Sequence, residues 1–178
     1  SMGVQKSYPL SGSPKSLVIL VEFTNKKFSI VEPQQSYTAL LNQAGYSSNG
    51  GTGSARDYFS DNSNGAFSPD FVVVGPVSLD QTFNYYGQNI NESDANSRQM
   101  IIDACKKADT LGVDFSEYDT DGDGFVDNVF VYYAGFNEAE GGSEETVWPH
   151  RWMLSCPYMI DGKKIYDYAC TSELKGNS

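Results

Sequence analysis

Apolar residues fall along this chain in two arrangements: short continuous runs, and stripes at helical spacing. Leu17-Val-Ile-Leu-Val-Glu-Phe23, which follows Ser-Gly-Ser-Pro, is a continuous run of strand length. A strand with one wet face would alternate, so this one is predicted to be buried on both faces in the middle of a sheet. Residues Phe71–Leu79 read as a strand interrupted at Gly75-Pro76. Proline has no N–H to give a ladder, so this strand belongs at an edge or carries a bulge. Val129-Phe-Val-Tyr-Tyr133 is β-branched and aromatic, the composition of another strand. Asp161-Gly162, flanked by apolar residues between Tyr158 and Tyr168, predicts a hairpin with a type I′ turn.

Helical spacing appears between these runs. Ser36–Ala44 places Tyr37, Leu40, Leu41 and Ala44 on one face, with Gly45 as terminator. Ser54-Ala-Arg-Asp57 is a capping-box pattern opening a second short helix, with Tyr58 and Phe59 as its apolar side and Asn62-Ser-Asn-Gly65 as its stop. Asp94–Leu111 carries the clearest stripe: Met100, Ile101, Ala104, Cys105, Ala108 and Leu111. Ser93 would cap this helix, and Lys106 and Lys107 would face outward near its end. Tyr85-Tyr86-Gly87 and Asn89–Asn91 read as parts of a long loop, Glu138–Glu145 as a solvated acidic loop, and Val147–Trp152 as a short aromatic stretch. Strands alternating with helices predict an α/β or α+β sheet packed by helices.

The 178 residues suit one domain or a large piece of one. A net charge of −11 argues against nucleic acid and anionic membrane surfaces as partners. No apolar run approaches the ~20 residues of a membrane span. Cys105, Cys156 and Cys170 are widely spaced and form no CxxC pair. A disulfide between Cys156 and Cys170 across the hairpin and a set of reduced, buried thiols both remain open. Residues 1–16 read as a cloning remnant (Ser-Met-Gly) and an amino-terminal extension, and residues 17–178 as the domain.

The most chemically pointed stretch is Asp119-Thr-Asp-Gly-Asp-Gly-Phe-Val-Asp127. Alternating carboxylates separated by glycines can fold inward around one hard cation. Asp119, Asp121 and Asp123 match positions 1, 3 and 5 of a calcium loop, the Phe125 carbonyl position 7, and Asp127 position 9. Position 12 is Phe130 rather than a bidentate Glu, so this is not an EF-hand. The pattern predicts a calcium ion that staples the loop to the start of a strand.

The remaining candidates are weaker. His150, the one histidine, sits between Trp148 and Trp152, and a packed histidine is the ordinary reading for it rather than a zinc ligand near the site. No Cys/His signature supports a nucleophile, and 23 acidic residues make any carboxylate pair uninformative. Glu173 belongs to no motif.

Several stretches in order resemble a family: Leu17–Phe23, Gly53-Ser-Ala-Arg-Asp-Tyr-Phe59 with Asn64-Gly-Ala-Phe67, Gly75-Pro-Val-Ser-Leu79, Tyr86-Gly87, Asp119–Asp127 with its Tyr-Tyr-Ala-Gly strand, and Trp148-Pro-His-Arg-Trp152. Together they are similar to the amino-terminal half of the catalytic domain of immune inhibitor A-type zinc metallopeptidases. The resemblance runs from about Leu17 to Glu173. It implies an α+β, zincin-like fold: a twisted mixed sheet packed by helices, with the calcium loop leading into a central strand. It also implies a secreted or cell-surface bacterial endopeptidase acting on proteins or peptides, with structural calcium at Asp119, Asp121, Asp123 and Asp127. In such enzymes a zinc ion held by an HExxH helix polarises the scissile carbonyl and activates water, with the motif Glu as general base. A single histidine rules that motif out here, so no catalytic residue is expected within these residues. The zinc ligands are expected in the remainder of the same catalytic domain, which is then this chain's natural partner. The alternative class is a calcium-stapled binding or adhesion module, or a degenerate peptidase. An HExxH motif farther along the polypeptide would separate the two.

Overall fold

The continuous run at Leu17 lies within a strand that is buried on both faces. The structure, a computed structural model, describes residues 11–46, 53–87, 95–135 and 150–173. Strands β1 (Lys15–Glu22), β2 (Asp70–Ser78), β3 (Val129–Tyr133), β4 (His150–Ile160) and β5 (Lys163–Ser172) form one sheet in the order β2-β1-β3-β5-β4. The first four in that order run parallel, and β4 returns antiparallel beside β5. Helices α1 (Pro33–Asn42), α2 (Ala55–Asn62), α3 (Phe83–Gly87) and α4 (Ala95–Thr110) pack against it. The expectation of a mixed α+β sheet packed by helices is met, and β3 is the middle strand.

Connectivity explains why β1 and β3 carry no wet face. The β1-to-β2 crossover steps one way along the sheet, and the β2-to-β3 crossover steps back over β1. Parallel crossovers share one hand, so opposite steps place their helices on opposite faces. On one face Tyr37 and Leu41 of α1 meet Val18, Leu20, Phe71, Val73 and Tyr132. On the other, Met100, Ile101, Ala104, Cys105 and Ala108 of α4 meet Leu17, Ile19, Val21, Val129 and Val131.

The β2 edge is covered by side chains rather than by another strand. Asn42 of α1 accepts from the Phe71 N–H at 2.9 Å and donates to the Phe71 carbonyl at 2.8 Å. Gln34 donates to the Val73 carbonyl at 3.1 Å. These amides copy the pairing of a neighbouring strand and block the edge against further addition. Both features expected for the Gly75-Pro76 strand are present, because β2 is an edge and its register with β1 shifts between Ile19 and Val21.

The capping box is formed: the Ser54 hydroxyl accepts from the Asp57 N–H, and the Asp57 carboxylate accepts from the Ser54 N–H. The same carboxylate accepts from Gly45, tying the end of α1 to the start of α2. The hairpin turn is also as expected, with Asp161 and Gly162 both at positive φ (50° and 74°).

Several local expectations are corrected. α1 begins at Pro33 and ends at Asn42, so Ala44 lies beyond the helix and is exposed. α2 turns Phe59 inward, its ring 5.2 Å from that of Phe67, and leaves Tyr58 54% exposed. Tyr85–Gly87 belongs to helix α3, and Tyr86 is buried against Phe23. Leu111 falls past the last turn of α4 and is 63% exposed instead of completing its stripe. His150–Trp152 opens the eleven-residue strand β4, because pairing with β5 extends it. Of the two cysteine readings left open, Cys105 and Cys170 follow the second: both are free and buried, and Cys170 lies opposite His150 in the hairpin register. Ser93, Asn89–Asn91, Glu138–Glu145 and the amino terminus through residue 10 lie outside the described residues.

The edge-blocking role of Asn42 gives a direct test. Asn42→Ala should destabilise the protein by about 1–3 kcal/mol in urea unfolding, since it leaves two backbone groups of Phe71 unpaired. Gln35→Ala, on the exposed side of the same helix, should stay within about 0.5 kcal/mol.

Candidate metal centre

The acidic loop lies between a 3₁₀ turn at Phe115–Tyr118 and the start of β3. Its backbone is held at both ends. The Asp127 N–H donates to the Tyr118 carbonyl at 2.8 Å, closing the loop at its base. Farther along, Lys164 of β5 donates its N–H to the Gly124 carbonyl and accepts from the Val126 N–H. This bridge leaves the N–H and carbonyl of Phe125 on the side away from β5, and there the Phe125 N–H meets Asp123 Oδ1 at 2.8 Å. Gly122 and Gly124 take φ values of 69° and 91°, a conformation that side chains with a Cβ resist.

Within this frame Asp119, Asp121 and Asp127 each offer a carboxylate oxygen, and the three oxygens lie within 4.8 Å of one another. Three of the four carboxylates expected together are therefore together. Asp123 is exposed and stands outside this group, its Oδ1 accepting from the Phe125 N–H.

The electrostatics differ from one carboxylate to the next. Burial pushes the Asp127 carboxyl above its ordinary range and the charges of Asp121 and Asp119 add to this, against the hydrogen bonds from Thr120. Those bonds come from the Thr120 N–H and hydroxyl. Asp119 is shifted the other way. Burial works against ionisation there too, but the Lys163 ammonium and the Gly124 N–H outweigh it and hold Asp119 below the usual range. Lys163 Nζ lies 2.8 Å from Asp119 Oδ2, whose side chain has no solvent exposure. Three clustered carboxylates in a partly desolvated loop are the donor chemistry of a hard divalent cation, so these residues fit such an ion.

Among the described residues no other group of three or more His, Cys, Asp or Glu side chains converges as a metal site. His150 starts β4 opposite Cys170, its side chain lies outside the described residues, and no second histidine exists to pair with it.

Two participants carried no sequence signal. Lys163 is 44 positions from Asp119 and meets it because the hairpin folds back onto the loop. Glu173, at the end of β5, is 3% exposed. Its carboxylate accepts from the Ser29 N–H (2.7 Å), the Ser29 hydroxyl (2.6 Å), the Ile30 N–H (3.1 Å) and the Gly135 N–H (3.2 Å). It thereby joins the segments that leave β1 and β3 to the end of β5, at the carboxyl ends of three adjacent parallel strands. Open parallel sheets place their ligand crevices at that end.

Glu173→Gln would set an NH₂ group against N–H donors. It should cost about 2–4 kcal/mol of stability and speed amide exchange at Ser29, Ile30 and Gly135, read by unfolding and hydrogen exchange.

Comparison with known proteins agrees with the resemblance read from the sequence. A protein described as "Immune inhibitor A" from Bacillus thuringiensis subsp. alesti is 24% identical over 184 aligned residues. That alignment takes in 83% of this chain and 27% of the relative, so the chain spans roughly a quarter of that protein's length. The family model described as "Immune inhibitor A peptidase M6, catalytic domain" matches residues 10–172, nearly the whole chain, and the chain therefore belongs to the immune inhibitor A peptidase family.

Proposed function

We propose that this chain is part of a secreted bacterial zinc endopeptidase, supplying the sheet and a structural calcium site of its catalytic domain. The observation that carries this reading is the family match over residues 10–172, which favours a peptidase over a calcium-stapled binding module. Substrates are then proteins or peptides. No helix among the described residues is long and apolar enough to cross a membrane.

The sheet itself suggests how an extended substrate is held. Its β2 edge is blocked by the amides of Asn42 and Gln34, whereas β4 is the other terminal strand. A peptide added along β4 would take main-chain hydrogen bonds for affinity and present alternate side chains for selection. Zinc ligands are not supplied by these residues, since an HExxH site needs two histidines and the chain has one. In this reading they come from elsewhere in the same catalytic domain.

Calcium is assigned to Asp119, Asp121 and Asp127, with the Phe125 carbonyl as a further oxygen and Asp123 joining if it releases the Phe125 N–H. The ion offsets the mutual repulsion of these carboxylates and fixes the loop at the start of the middle strand, a structural rather than a catalytic task.

Two outcomes are expected. Calcium at about 100-fold above its dissociation constant should raise the melting temperature by roughly 5–10 °C. Asp121→Ala should remove most of that gain, and a wild-type melting curve indifferent to calcium would rule out the site. Separately, the natural polypeptide containing this domain should hydrolyse casein and lose activity on zinc chelation, while the 178-residue chain purifies without stoichiometric zinc and is inactive. A chelator-insensitive or inactive natural polypeptide would sink the peptidase reading.

A further inference from the structure

Lys163 is placed against the acidic loop by more than its own side chain. The Asp161-Gly162 turn delivers it, and Asp161 Oδ2 anchors that turn by accepting from the Phe115 N–H at 3.0 Å, just ahead of the loop. On its other side, Lys164 is bridged to Gly124 and Val126 through the backbone. The hairpin tip is therefore stitched to the loop on both sides of Lys163, and the ammonium is delivered to Asp119 Oδ2 at 2.8 Å. Most ion pairs between lysine and a carboxylate lie at the surface and contribute little. This one differs because the Asp119 side chain is fully buried and belongs to the carboxylate cluster. The same oxygen also accepts from the Gly124 N–H at 2.9 Å, so a cation approaching Asp119 meets an oxygen that is already in use.

We propose that Lys163 is a tethered counter-ion that holds the acidic loop in its folded form without metal and competes with calcium for Asp119. This rests on the calcium reading above and concerns the regulation of that site. The ammonium carries one positive charge beside three carboxylates, which is enough to keep them together but leaves an excess of negative charge. A divalent ion supplies more charge at shorter range, and it must displace the ammonium or bind against its field. Lys163 thus sets the calcium concentration at which the loop changes from the internal cation to the external one.

The test is calcium titration of the metal-stripped chain by calorimetry, with melting curves in parallel, for wild type, Lys163→Met and Lys163→Arg. Lys163→Met keeps the methylene stem and removes the charge. Its dissociation constant for calcium should fall by about tenfold or more. Its metal-free melting temperature should drop, with the gap to wild type closing at saturating calcium. Lys163→Arg keeps the charge and should stay within about threefold of wild type. If Lys163→Met does not fold without metal, refolding on addition of calcium supports the proposal and failure to refold overturns it. Calcium that binds Lys163→Met equally or more weakly than wild type overturns the competition and leaves the calcium site standing. No calcium binding to wild type overturns both.

Discussion

Burial of the middle strands on both faces is the constraint on which the rest of this structure depends. β1 and β3 are continuous apolar strands, and such strands persist only if each face of the sheet has its own helical cover. Crossovers stepping in opposite directions along the sheet, β1 to β2 and β2 back over β1 to β3, meet this requirement, with α1 on one face and α4 on the other. The same winding makes β2 an edge, which the amides of α1 then block, and it leaves the antiparallel β4 at the far side.

The middle strand is fixed at each end by carboxylates, and the two ends solve the problem of a buried anion differently. At its start, Asp119 and Asp127 lie in a cluster whose repulsion is offset by a lysine ammonium, by Thr120 and by loop N–H groups. At its finish, Glu173 is held by hydrogen-bond donors from Ser29, Ile30 and Gly135. Donors arranged around a single carboxylate can stabilise its charge through oriented dipoles. In the loop, donors from Thr120, Asp123, Gly124 and Lys163 are shared among three carboxylates that also repel one another. That contrast is why the loop reads as a metal centre and Glu173 as a structural tie.

Much of this was legible along the chain because it depends on residues close in sequence. The Ser54–Asp57 box, the Asp161-Gly162 turn and the stripe from Met100 to Ala108 are set by neighbours within a turn or two of backbone. The alternation of Asp and Gly from Asp119 to Gly124 belongs to the same class. Errors arose where a local pattern met a tertiary boundary. Leu111 continues the helical stripe in sequence, but the helix ends at Thr110, one residue before it. Tyr58 looks as apolar as Phe59, yet adjacent helix residues point to different sides, and only Phe59 packs, partly buried, against the core.

By itself, then, the sequence determined the local elements, the absence of an HExxH motif and the concentration of charge at Asp119–Asp127, since each is a property of composition or short-range spacing. Only the tertiary structure decided which carboxylates converge, that Asp123 stands apart, that Lys163 reaches Asp119, and that Glu173 gathers three strand ends. The physical reason is the backbone path of the loop for the carboxylates, with Gly122 and Gly124 at positive φ, and distance along the chain for Lys163 and Glu173. These contacts join residues as many as 144 positions apart, as between Ser29 and Glu173, and they exist only because the sheet brings together segments that share no local signal.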